Sequence, residues 1–364
     1  MTNDPVHATA SKLEKQVILN ELCKLTLWHR DNARQALRLA LKAPMLKPER
    51  RSRTPLYGES VIEILGKVWA VLDAPYGKLM APVLTRTITR LRSCKKLDID
   101  DELAERTCQV LASTLDRRLA GDRTKLMVHG RSGTKPGSLL KSQIPIRTWA
   151  QWDGASPGFV EIDLVGHEGG DPCGDFCQTL TVIDICTGRT ETQAVKTKAQ
   201  KWVFAALQQI VTAMPFKVLG IDSDNGAEFI NAHLRNYCDD HQIIFTRSRP
   251  GNKNDGAHVE GKNWTVVRRE VGYYRYDKGM ELELLNEIYG LLRLTTNFFI
   301  PQQHLISKIR NGAKVTKRYD RAQTPYEGVL GDDRIDQEIK ERLYEPYESL
   351  NPAQIRRQMN SLND

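Results

Sequence analysis

The sequence predicts an α/β domain with a mixed five-stranded sheet, preceded by an all-α region with helix-turn-helix character. Two patterns and one imbalance point there. From Phe159 onward, short apolar segments alternate with amphipathic ones in the order β-β-β-α-β-α-β-α, as in a sheet with helices packed on it. Upstream, apolar residues recur at helical spacing. The charge is uneven too: residues 1–150 hold 27 Lys and Arg against 15 Asp and Glu, and the remainder hold 26 against 30.

In chain order, residues 11–44 read as two helices. Leu13, Val17, Leu22 and Leu25 lie near helical spacing in the first. The second opens at Asp31 or Asn32 and carries Arg34 and Arg38 four apart on one face. A short turn before a basic helix is a helix-turn-helix pattern. The basic run 47–53 follows as a linker. Val61, Ile64, Leu65, Val68, Trp69 and Leu72 then form a 3.6-period stripe, which predicts a buried helix face. Pro75 interrupts, and a further helix runs to about Arg92. Acidic residues at 98–102 suit a helix start. Ser113 is the predicted cap of a short helix, Thr114 to Leu119, with Arg117 and Arg118. This is a second helix-turn-helix candidate. Residues 122–147 are Gly-, Ser- and Lys/Arg-rich and read as a basic linker, with Arg131 and Lys135 as candidate contacts to a polyanion.

The stretch FVEIDLVGH (159–167) is apolar on both sides of Asp163, as a buried central strand is. Two strands joined by Thr187-Gly188 predict a hairpin beside it. A helix over about 199–213, a strand over 217–222, a helix over about 227–240 and a strand over 243–247 complete the sheet. Asn254-Asp255 reads as the cap of a helix that carries Glu260. A long helix over about 281–298 follows, then a tail (331–364) expected to be helical and broken at Pro346 and Pro352.

The chain is 364 residues long, enough for two or three domains. No apolar run approaches a membrane span of ~18–20 residues, so no membrane role is expected. The first residues have no apolar signal core, and seven cysteines sit without paired spacing. Together these predict reduced thiols in the cytoplasm. The basic excess of the first part points to nucleic acid.

Carboxylates carry the chemistry. A charge inside an apolar strand costs several kcal/mol unless compensated, and Asp163 has no basic residue on its strand. Asp224 ends a second strand in the turn Asp222-Ser223-Asp224-Asn225-Gly226. Glu260 begins a helix face shared with Trp264, Val267 and Val271, which predicts Trp264 in the core.

As a set, EIDLVGH around Asp163, IDSDNGAEF around Asp224 and NDGAHVEGKN around Glu260 resemble the integrase catalytic core of DDE transposases and retroviral-type integrases. Thirty-five residues separate Asp224 from Glu260, as that family requires of its third carboxylate. The likeness spans about 145–330, and the segment after the core resembles that of bacterial insertion-sequence transposases. The resemblance implies a ribonuclease-H-like fold. It also implies that Asp163, Asp224 and Glu260 are the catalytic residues, holding two Mg²⁺ or Mn²⁺ ions for DNA 3′-end cleavage and strand transfer. The implied partners are double-stranded DNA, as element ends and target, and further copies of the chain in a homo-oligomer on DNA; an ATPase helper is left open. Asn263 matches a position near the family's site, and Lys262 and Arg269 are candidates for DNA phosphates. The expected divisions are helix-turn-helix regions at 1–54 and 55–121, the linker at 122–147, the catalytic core at 148–300 and a C-terminal extension at 301–364. The rival readings are a DNA-binding regulator with an inactive core and a ribonuclease-H-type nuclease. An intact set of carboxylates disfavours the first, and the helical N-terminal regions disfavour the second.

Overall fold

The computed structural model describes residues 11–40, 56–125, 156–224, 226, 228–248 and 257–363. It divides into two units, residues 1–56 and 57–364.

The first unit contains α1 (Lys12–Thr26) and α2 (Arg30–Ala40). Ser11 and Glu14 form a reciprocal capping box that starts α1. The helix stops at Leu27, which is left-handed at φ 56°. Two helices enclose little volume. Leu19 and Ala33 are buried, while Leu13, Val17 and Leu25 of the predicted spacing are exposed. Arg34 is engaged by Asp31 at 3.0 Å, and Arg38 is exposed near the end of α2.

The second unit opens with α3 (Glu59–Val71), α4 (Gly77–Ser93), α5 (Asp101–Cys108), α6 (Ala112–Arg118) and α7 (Ala120–Lys125). All six residues of the predicted stripe from Val61 to Leu72 are buried. Gly77 has no room for a Cβ against the Ala112 carbonyl, and its N–H donates to Asp116 Oδ1 at 2.8 Å. That close approach locks α4 on α6. A short turn joins α5 to α6, and α6 starts at Ala112 with Leu111 at its cap position. Ser113 lies inside the helix and caps nothing. Helix α7 occupies the first residues of the predicted linker.

The sheet comprises β1 (Phe159–Gly166), β2 (Gln178–Asp184), β3 (Thr190–Val195), β4 (Gly220–Ser223) and β5 (Ile244–Arg247), in the order β3-β2-β1-β4-β5. β2 is antiparallel to β1 and β3, and β4 is parallel to β1 and β5. This is the mixed, ribonuclease-H-like sheet that was expected. Helices α8 (Gln200–Ala213) and α9 (Ala232–Asp240) join its last strands. Alternation gives the sheet two unlike faces. Val160, Ile162, Leu164, Leu180, Val182 and Ile221 pack with α8 and α9 in one apolar cluster. The opposite face carries Glu161, Asp163, Thr179, Thr181, Asp222 and Thr246, and there Val259 of α10 bonds to Glu161. Helix α10 runs through Ala257–Lys262, a π-helical turn at Asn263–Arg268 and a last turn at Arg269–Val271.

Helix α11 (Gly279–Phe298) closes the edge of β3 with two asparagines three turns apart. The Asn286 amide receives Ala194 N–H at 2.9 Å and donates to Ala194 O at 3.2 Å. Asn297 does the same at Thr190, at 2.9 and 2.8 Å. Each amide thereby completes hydrogen bonds that an exposed edge strand leaves open. A hairpin, β6 (Leu305–Asn311) and β7 (Lys314–Tyr319), follows.

The chain ends in α12 (Pro325–Gly331), α13 (Gln337–Ser349) and α14 (Pro352–Asn363). Pro346 lies within α13 and does not break it, while Pro352 opens α14 as expected. Leu343, Tyr347, Ile355 and Met359 share one hydrophobic core with Val61, Leu65, Leu84 and Leu115. Arg90 donates to the carbonyls of Tyr347 and Leu350 at 3.0 Å each. The helices from 59 to 118 therefore fold as one body with the sheet and the tail, rather than as a region set apart.

A buried polar chain crosses this body. His167 Nε2 meets Thr179 Oγ1 at 2.7 Å, and the same hydroxyl meets Tyr289 OH at 2.7 Å. Burial, followed by the charge of Arg268, depresses the His167 pKa to about 3. The imidazole is thus neutral in the fold and titrates near 6.5 when unfolded. Its contribution is complete above pH 6.5 and is lost as pH falls toward 3. Urea denaturation is expected to lose on the order of 2 kcal/mol between pH 6.5 and 5 through this group. His167→Gln should flatten that part of the slope; an identical slope in the variant would refute the assignment.

Candidate active site

Two residues along from Glu161, on the same face of β1, stands Asp163. Its environment is built by α10, which is tied to β1 at three points. Glu161 Oε2 accepts the N–H of Val259 at 3.2 Å. Asn263 Nδ2 donates to Asp163 Oδ2 at 2.6 Å. Arg268 Nη2 donates to Gly166 O at 2.6 Å. Glu260 falls between the first two ties, in the opening segment of α10, and its side chain lies outside the described residues. The predicted cap Asn254-Asp255 lies outside them too.

Asp224 follows directly on β4. In the parallel register Glu161 pairs with Asp222 and Ile162 with Ser223, so the next step sets Asp224 level with Asp163 on the neighbouring strand. Asp222 is buried and accepts the Thr246 hydroxyl at 2.6 Å. Asp224 is exposed, and its Oδ1 accepts the Gly226 N–H at 2.8 Å. Gly226 lies close to two carboxyl groups. A Cβ there would stand 2.6 Å from the Glu228 carboxyl carbon and 2.9 Å from Asp224 Oδ1. Glu228 is therefore a further acid beside Asp224. Burial raises its pKa, and the Asp224 charge adds to the shift.

The carboxylates are hard oxygen donors of the kind that suit Mg²⁺ or Mn²⁺. Oδ1 of the Asn263 amide is buried and lacks a hydrogen-bond partner among the described residues, beside the Nδ2 that holds Asp163. Both observations fit a divalent cation at Asp163 and Asp224. Among the described residues no three acidic, His or Cys side chains form a cage by themselves.

Over 313 residues the chain is 35% identical to the "Uncharacterized protein y4rM" of Sinorhizobium fredii, covering 86% of this chain and 89% of that protein. A family model described as "Integrase core domain" matches residues 154–253. The chain belongs to the integrase-core family. The matched segment contains Asp163 and Asp224 and ends before Glu260. Among solved structures, the catalytic core domain of BIV integrase is 18% identical at a TM-score of 0.34, covering 52% of this chain and 99% of that one. The HTLV-2 integrase catalytic core domain in complex with magnesium is 16% identical at 0.31, covering 41% and 92%. Nothing further rests on likenesses at these TM-scores.

The remaining candidates fall in varied places around the integrase core. Asn263 was expected near the site as a nucleic-acid contact, and it holds Asp163 directly. The half-buried Lys262 ammonium donates to Gln302 Oε1, and desolvation lowers its pKa to about 8. Arg269 is held by Asp73, at 3.3 Å to Oδ2 and 2.7 Å to the carbonyl. Both cations are thus engaged within the chain. Arg117 is exposed on α6, and Arg118 lies 3.7 Å from Glu59. Arg131 and Lys135 lie outside the described residues.

Trp264 departs from expectation. It is 49% exposed, while Val259, Val266, Val267 and Val271 are buried. The predicted stripe assumed an unbroken 3.6-residue period, and the π-helical turn shifts the phase by inserting extra residues. The same turn lets Asn263 reach Asp163 while Val267 enters the core. Glu161 and Glu228 were not singled out from the sequence. Period-two spacing from Asp163 was enough to find Glu161; Glu228 had no local signal beyond its place after Gly226.

Proposed function

We propose that this protein is a DNA transposase of the DDE type, with Asp163, Asp224 and Glu260 as its catalytic carboxylates. It binds the ends of a mobile element and target DNA as a homo-oligomer, and it cleaves and joins strands by metal-dependent phosphoryl transfer. One observation carries the reading furthest. The segment bearing Glu260 is tied to the strand bearing Asp163 on both sides of Glu260, while the sheet register brings Asp224 level with Asp163. A fold with a merely decorative acid on β1 has no need of this arrangement.

When bound at these carboxylates, two Mg²⁺ or Mn²⁺ ions supply activation of water or a 3′-hydroxyl and stabilisation of the leaving oxygen. The chain's own residues fix the acids. Asn263 sets the rotation of the Asp163 carboxylate, and Gly226 N–H sets that of Asp224. The helix-turn-helix pairs α1–α2 and α5–α6 are the modules for terminal-repeat DNA, with Arg34, Arg38, Arg117 and Arg118 as their candidate contacts. Arg131 and Lys135 are the tether's candidates.

The test is a strand-transfer assay with oligonucleotide duplexes from the flanking terminal repeats. Joined products in Mg²⁺ support the transposase. Nicked products without joining favour a plain nuclease, and binding alone favours a regulator. Within the same assay Asn263→Leu, which removes the amide without much change in size, is expected to lose roughly 10- to 100-fold in activity. Raising the metal concentration should recover part of it. Full activity in this variant would remove Asn263 from the site.

A further inference from the structure

We infer that the β6–β7 hairpin is a DNA-binding arm that lays one face on the phosphates of duplex DNA. The inference takes its ligand, double-stranded DNA, from the transposase reading, but the site is a separate one. Residues 305–319 hold five Lys or Arg and no Asp or Glu. The next acid along the chain, Asp320, sits at the root and is occupied there. Its carboxylate accepts His304 N–H at 2.7 Å and contacts His304 Nδ1 at 3.1 Å, so the root is braced. Beyond it every residue of β7 is exposed, as are five of the seven residues of β6.

The register sorts the side chains. Lys308 pairs with Lys317, Arg310 with Val315 and Leu305 with Tyr319, all on one face. Like charges set directly opposite each other destabilise a strand pair, and a two-stranded ribbon has little stability of its own. A polyanion against that face is attracted by Lys308, Arg310 and Lys317 together. The shape agrees, since a two-stranded ribbon fits the DNA major groove.

The position agrees as well. Leu305, Lys317 and Tyr319 line a groove of about 500 Å³ together with the exposed Trp264 and Thr265 of α10. DNA held on this face of the arm runs past the helix that carries Glu260. Trp264, unexplained as a core residue, becomes part of that track.

The experiment measures binding of the full chain to a duplex of about 30 base pairs of arbitrary sequence, without divalent metal and over a range of salt. Lys308→Gln/Arg310→Gln/Lys317→Gln is expected to lose roughly tenfold or more in affinity near physiological salt. The slope of log K against log salt should shrink by about 2–3, one step of ~0.9 per lost phosphate contact. Lys314→Gln/Arg318→Gln, on the other face, should cost less. Unchanged affinity and slope in the triple variant would overturn the inference. Equal loss from the two faces would overturn the assignment to the groove side. Wild-type binding to anionic vesicles in preference to duplex, lost in the triple variant, would overturn DNA as the occupant. Wild-type protein that binds duplex through the arm but never joins strands would sink the transposase reading and leave the arm standing. Wild-type joining with an unimpaired triple variant would do the reverse.

Discussion

Asp224→Asn is expected to abolish Mg²⁺-dependent cleavage and joining while leaving duplex binding within twofold of wild type. The substitution keeps shape and removes charge. Asn accepts the Gly226 N–H as Asp224 Oδ1 does, so the turn after β4 survives. What disappears is the anionic oxygen pair level with Asp163. Metal-assisted charge stabilisation is worth several kcal/mol, so losing it costs roughly a thousandfold or more in rate. Asp163→Asn and Glu260→Gln should behave alike, and the double variants should lose little beyond the singles, because the proposed mechanism makes the three act as a unit. Chelation by EDTA should mimic the variants in the wild type. Joining by Asp224→Asn at wild-type rate would remove it from the catalytic set.

The second large effect lies away from the chemistry. Glu191 on β3 is buried between two guanidinium groups, Arg189 at 2.9 Å and Arg293 at 2.8 Å. Burial pushes its carboxyl pKa up, and the two arginines pull it back down. Glu191→Ala leaves Arg189 buried without its ion-pair partner. That is expected to cost about 3–5 kcal/mol in urea denaturation, the usual result of deleting one partner of a buried pair. Arg189→Met/Glu191→Leu, which removes both charges, should recover most of the loss. A single variant within 1 kcal/mol of wild type, on the order of an exposed pair, would mean that water reaches Arg189 freely.

Which of these features were legible beforehand follows from the range of the interactions. The five strands, their order along the chain and the core stripe of α3 were readable because each is written in local periodicity. Asp163 stood out because a charge in an apolar strand is anomalous by itself. Trp264 was misread because a π-helical turn leaves no mark in side-chain pattern. The β6–β7 hairpin was also missed, although Asn311-Gly312 between alternating residues is a hairpin signal. Gly312 indeed takes a positive φ of 60° there. Asn286 and Asn297 could not have been read as edge caps, since their partners lie about 90 and 107 positions away in sequence. The ties from α10 to β1 span about a hundred positions and were equally invisible.

The shared core of Val61, Leu84, Leu115, Ile355 and Met359 has a consequence for how the protein is made. During synthesis the helices from 59 to 118 emerge long before α14 exists. At about 5–20 residues per second the wait is on the order of ten to fifty seconds. Throughout it, their core lacks the part that Leu343, Tyr347, Ile355 and Met359 supply. The sheet cluster from Val160 to Phe245 is complete much sooner, so it is free to form first. A nascent chain therefore carries the strands of Asp163 and Asp224 before it has the body that braces α10, through Arg356 of α14 on Glu270 at 3.0 Å. Synthesis order thus leaves α10 without this brace until Arg356 has left the ribosome. A chain truncated within α14 should consequently be a client of chaperones and proteases rather than a partial enzyme.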